Sequence, residues 1–137
     1  MKAHLDAISA SLSPLEYTTH LFAAPVVSSQ YLILSSPSWG GPLEAPAAST
    51  SGSVDVDVRV KAVTGTPEGV AIMLGRVRAL LGPDNEWVRV AVSGRVAHVR
   101  FVRSEFIDVD RDVTTTNTDR HPGVGVDTYR LVSEPMR

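Results

Sequence analysis

The chain has 137 residues, 43% of them hydrophobic and 20% charged, with a formal net charge of −2. That length suits one domain with one core, and so small a charge sets up no overall field towards nucleic acid or an anionic membrane. With no cysteine it can form no disulfide, thiolate metal site or cysteine nucleophile, a composition that leans towards folding inside a cell.

In chain order, Leu5, Ile8 and Leu12 are spaced by three and four, which predicts a short amphipathic helix over about 2–12 that ends at Pro14. Asp6 and the serines interrupt any apolar run there, so no secretory signal is expected, and no run approaches the roughly 20 residues of a membrane span. Two strands follow, at residues 18–22 and 30–35; the second is almost wholly apolar, as in a strand covered on both faces. Residues 36–53 hold three prolines and three glycines among small polar residues and predict a long loop. Trp39 in that loop is either an anchor for a partner or an aromatic folded back on its own domain.

Val54, Val56, Val58 and Val60 alternate with Asp55, Asp57, Arg59 and Lys61, which predicts a strand with one buried face. Thr66, Pro67 and Glu68 start a helix by capping, by a fixed φ and by charge. Its apolar positions are Val70, Met73, Leu74, Val77, Leu80 and Leu81, and Gly82-Pro83 stops it. Gly75 inside this helix predicts close approach of another backbone, and Arg76 and Arg78 are expected on wet flanks. Val88, Val90 and Val92 alternate in a further strand, Ser93-Gly94 turns the chain, and 95–103 return. Residues 106–110 extend that strand or begin another. A second polar loop covers 110–123, and 124–132 form the last strand.

The expected fold is therefore a single α+β domain over 1–137. It has a mostly antiparallel sheet, with one long and one short helix packed on one face, and loops at about 36–53 and 110–123.

Chemistry is poorly signalled. His4, His20, His98 and His121 form no metal-ligand spacing and read as scattered surface histidines. Asp108, Asp110 and Asp112 alternate, but the glycine and distal glutamate of a calcium loop are missing, so a solvated or Arg-paired surface is the better reading. No nucleophile elbow or phosphate loop is present, and Gly123-Val124-Gly125 lacks the third glycine and following helix of a dinucleotide site. No catalytic, cofactor or metal site is expected, and the chain is read as a protein that binds other subunits rather than an enzyme. Eleven of its thirteen basic residues are arginine, a residue enriched at interfaces.

Several segments together resemble the tail terminator family of bacteriophages with long, non-contractile tails. They are the start helix reaching Leu12-Ser13-Pro14-Leu15, the strand Thr18 to Pro25, the apolar 31–34, and the valine-alternating strand entering Lys61 to Val70. Near the end they are 110–113 and Arg120 to Tyr129, where Val124 stands in place of an expected aromatic. The likeness runs through nearly the whole chain. It implies a structural virion protein that forms a ring of like subunits, a homo-hexamer. The ring would cap the head-proximal end of the tail tube, stop tube growth and offer the surface for head–tail joining. The implied partners are copies of itself, the tail tube protein and a head–tail connector or neck protein. Neither a membrane nor sequence-specific nucleic acid is among them, although DNA could pass through the ring lumen. The implied location is the virion tail, after assembly in the host cytoplasm. The alternatives are another head–tail connector or head-completion neck protein and, from a different class, a small enzyme with a cryptic site. Loop position and residue type nominate Trp39, Glu44, Arg111, Arg120 and His121 as interface residues.

Overall fold

The computed structural model describes residues 2–22, 30–36, 52–107 and 123–136. Helix α1 spans Lys2–Ser11, and a 3-10 turn at Ser13–Leu15 leads into strand β1, Thr18–Leu21. Strands β2 (Gln30–Ser35) and β3 (Val54–Thr64) precede helix α2, Pro67–Leu81. Strands β4 (Val88–Val90), β5 (Arg95–Ile107) and β6 (Gly123–Pro135) complete one six-stranded sheet in the order β1-β2-β3-β6-β5-β4. Only β1 and β2 run parallel; β2–β3, β3–β6, β6–β5 and β5–β4 are antiparallel. The fold is α+β, with the expected mostly antiparallel sheet.

Period-two patterning decides which face is buried. Val54, Val58, Val60 and Ala62 of β3 point to the same side as Tyr129 and Leu131 of β6 and Ala97 and Val99 of β5. Leu5, Ile8 and Leu12 from the first segment and Val70, Met73, Leu74, Val77 and Leu81 from α2 close over that side in one core. Both described helices therefore cover one face. Helix α2 lies mainly along β6, while α1 touches both β2 and β4, which are far apart in the sheet order. One short helix can reach both only because the sheet curls towards its helix side, as the handed twist of strands favours.

The ends of α2 follow its sequence signals. Thr66 is extended, its side-chain oxygen accepts from the Gly69 N–H at 3.0 Å, and Pro67 opens the helix. At the other end, Gly82 has extended backbone (φ −158) and not the left-handed turn usual for a terminating glycine. Its missing side chain serves packing instead: a Cβ there would lie 2.8 Å from Phe101 Cβ. Gly94 does take positive φ (+71) in the turn between β4 and β5.

Two sequence expectations fail here and a third is only part of the picture. Gly75 faces open space, with nothing within 4 Å of a Cβ built on it, so no described backbone approaches it. Arg78 is a partly exposed flank residue, 38% accessible, that also reaches across to the sheet, as described below. His4 is not on the surface but 4% exposed, on the buried side of α1. The strands are also longer than their alternation implied: β3 continues to Thr64, β5 to Ile107 and β6 to Pro135.

Candidate interface

Among the described residues the sheet has one face under helices and one face without them. On the second face lie Asp55, Asp57, Arg59 and Lys61 of β3, Val126, Thr128, Arg130 and Val132 of β6, and Arg100, Arg103 and Glu105 of β5. Opposite charges are paired there. The Arg130 guanidinium donates two hydrogen bonds to the Asp55 carboxylate, at 2.9 and 2.6 Å, which holds that carboxyl below its usual range. Arg103 meets Glu105 at 3.4 Å along its own strand. Arg100 stands directly opposite Arg130 across β5 and β6, a like-charge pairing that costs free energy unless a counter-charge is near. Towards one end this face turns apolar: Tyr31, Val63 and Val124 are buried with Ile33 beside them, and His20 meets the Tyr31 ring edge-on at 5.9 Å.

Large apolar side chains are exposed at both sides of the sheet. Phe22 (53%) follows β1 in a left-handed conformation (φ 69) that bulky residues rarely adopt. Trp87 (42%) precedes β4, and Val102 (47%) sits in β5. Ile72 (56%) lies on the outer side of α2. Each is a surface that water solvates poorly, and their distribution around the domain offers more than one contact to neighbours.

Buried polar groups lie between the sheet and its helices. Asp127 on β6 is 0% exposed and faces α2, where Arg78 donates to its Oδ2 at 2.9 Å. The Arg78 guanidinium also lies 4.3 Å from the centre of the Phe101 ring, which packs edge-on against Tyr129 at 5.7 Å. Burial, then the charge of Asp127, pushes the Tyr129 hydroxyl above its usual pKa. Asp127 Oδ1 is buried without a hydrogen-bond partner among the described residues. A carboxylate neutralised by arginine is a poor acid–base catalyst. The group acts as a clamp of helix to sheet.

A second clamp ties the chain's first helix to its last strand. The His4 ring nitrogen Nε2 and Ser133 Oγ are 2.9 Å apart, and Arg95 donates to Ser133 Oγ, to the Ser133 carbonyl and to the Gly52 carbonyl. Burial, with positive charge nearby including Arg95, lowers the His4 pKa to about 4. The ring is therefore neutral at pH 7. Among the described residues no group of His, Cys, Asp or Glu could hold a metal ion, and no helix is long and apolar enough to cross a membrane.

The residues nominated from sequence, Trp39, Glu44, Arg111, Arg120 and His121, lie outside the described residues, as do Asp108, Asp110 and Asp112. The exposed groups above (Phe22, Ile72, Trp87, Val102) were not singled out in the sequence. Val102 and Trp87 stand out only once β4 proves to be three residues long. Phe22 and Ile72 carried a weaker signal: one abuts the Pro25 strand end, the other falls off the apolar stripe of α2. No family model matches the chain, and no curated protein is similar to it.

Proposed function

We propose that this chain is a structural virion protein, the tail terminator of a long-tailed bacteriophage, and that it works by binding alone. Its subunits close into a homo-hexameric ring on the head-proximal end of the tail tube. The ring ends tube growth and offers the joining surface to the head. Its partners are copies of itself, the tube protein and a head–tail connector.

One observation supports this reading most directly. Exposed aromatic and aliphatic groups sit at the two opposite sides of one sheet, Phe22 beside β1 and Trp87 with Val102 beside β4 and β5. A head-to-tail contact needs two different surfaces on one subunit, and it closes when the rotation per subunit divides the circle. The place in the virion rests on the resemblance in sequence.

The test is electron microscopy of the purified protein with and without tail tubes. Six-fold rings capping one tube end are the expected result. A strict monomer that never caps tubes and turns over a small molecule would sink the proposal in favour of an enzyme. Binding to heads with no binding to tubes would move the protein to another connector position.

A further inference from the structure

Strand β5 is thirteen residues long, and β6 pairs with it from Arg95 to Ile107. On its other side β4 pairs only with Ala97, His98 and Val99. Among the described residues no further strand lies beside β5 on that side from Arg100 onward, and Val102, Arg103, Ser104 and Glu105 are all exposed. Such an edge carries unpaired N–H and C=O groups and is a template for another strand.

The hydrogen bonds decide which residues present those groups. The Arg95 N–H donates to the Val92 carbonyl, and the Met136 N–H donates to the Gly94 carbonyl. Alternation along an antiparallel ladder then directs the backbone groups of residues 95, 97 and 99 towards β4, and those of 96, 98 and 100 towards β6. Val102 is an extra residue in a bulge between Phe101 and Arg103, and it shifts this phase by one. Beyond it, Arg103 and Glu105 stand opposite Thr128 and Val126, whose backbone groups point towards β5. Arg103 and Glu105 are thus bonded to β6, and Ser104 presents its N–H and C=O to the open edge.

We propose that this edge pairs with the same edge of a second copy of the chain, antiparallel, about a two-fold axis through Ser104. The register is selected by charge. Outward-directed residues must face one another, so pairing can centre on Ser104 or on a neighbour, but not between residues. Centred on Ser104, Arg103 lies opposite the partner's Glu105, and Glu105 opposite the partner's Arg103. Centred on Arg103 or on Glu105, identical charges would stand face to face, which destabilises a cross-strand pair. The length also fits. In this register the end of β5 at Ile107 lies opposite Phe101 of the partner subunit, so the added strand stops short of Val99, where β4 takes over. Charged residues and a bulge on an edge strand normally deter pairing; here the charges favour the register centred on Ser104 over those centred on either neighbour.

The contact goes beyond the ring. A two-fold pair closes on itself and cannot continue around a cyclic assembly. It is a state of the free subunit, and it must open before that edge can meet a different surface.

The test combines size measurement with crosslinking of the whole chain. Sedimentation should show a concentration-dependent monomer–dimer equilibrium. R103E alone should weaken it about ten-fold, since both symmetric pairs become repulsive. The double reversal R103E/E105R should return it to within about three-fold of the original. The chain has no cysteine, so S104C offers one thiol at the axis. Directly opposed Cα atoms about 5.5 Å apart lie within disulfide range. Oxidised S104C should run as a covalent dimer, while S93C, in the exposed turn before β5, should not. A monomer at every concentration, a dimer indifferent to R103E, or crosslinking of S104C no better than S93C would each overturn the pairing. Six-fold rings without S104C crosslinking would overturn the pairing and leave the ring; a crosslinked dimer that never caps tubes would do the reverse.

Discussion

Residues Arg95–Val99 and Val102–Glu105 belong to one strand but to different surroundings. In the first stretch Ala97 and Val99 are buried under the helices, with β4 on one side and β6 on the other. In the second, four successive side chains are exposed and, among the described residues, only β6 is alongside. The change happens across a single extra residue, Val102. Burial sets the energy of the first stretch, whereas the second contributes little to the fold and is free to take a partner. Stability and recognition are thus separated along one strand, and substitutions on the two sides should differ sharply in cost.

The largest effect belongs under the helices. Leu131 faces Val99 and is fully buried, so Leu131→Ala should lower the unfolding free energy by about 4 kcal/mol in urea titrations. A loss under about 1 kcal/mol would mean that this face is not the core.

Next is acid. His4 has a folded pKa of about 4 against 6.5 for the free side chain. Between these values the unfolded chain binds the proton and the folded chain does not, so stability is complete above about pH 6.5. It falls as pH drops towards 4, by at most about 3 kcal/mol, and this contribution levels off below that. His4→Asn should flatten the slope of the urea midpoint between pH 7 and pH 4; an unchanged slope would assign the acid sensitivity elsewhere.

Arg78→Ala should cost about 2 kcal/mol by leaving the Asp127 carboxylate buried and unneutralised. That is below the 3–5 kcal/mol of a fully enclosed pair, because the Arg78 side chain is 38% exposed. Adding Asp127→Ala to it should recover part of the loss, as a double-mutant cycle would register.

Thr66→Ala removes one cap and should cost about 1 kcal/mol. At the bottom of the scale, Asp55→Asn breaks a well-formed but solvent-exposed pair with Arg130 and should leave the thermal midpoint where it is. A clear drop there would show that the uncovered face contributes to the fold after all.

What the sequence made legible was local. The valines at 54, 56, 58 and 60 announced β3, and Thr66-Pro67-Glu68 announced α2, because period and capping involve neighbours in the chain. The apolar heptad-like spacing of Val70 to Leu81 even named the side of α2 that is buried. What it hid were pairings between distant residues. Arg78 and Asp127 are 49 positions apart, and His4 and Ser133 are 129 apart. Taken singly, Arg78 is a charge on a helix flank and His4 a polar residue near a terminus. Gly75 misled for the opposite reason: its cost within a helix implied a close neighbour, and the described residues provide none. For the interface, residue type and loop position led to Trp39, Glu44, Arg111, Arg120 and His121. The edge at Ser104 was out of reach because it depends on how far β4 extends alongside β5.

Strand β6 joins β3 to β5, two strands that do not touch one another in the sheet. Until residues 123–135 have been synthesised, β1-β2-β3 and β4-β5 are two separate ribbons, each with an inner edge unpaired. A ribosome still holding β6 in its exit tunnel thus carries a chain that cannot close its sheet, however well α2 has formed. Folding must then wait for pairings between residues far apart in the chain, which is slow, and any nascent chain halted before Gly123 exposes the strand edges that recruit chaperones or neighbouring chains.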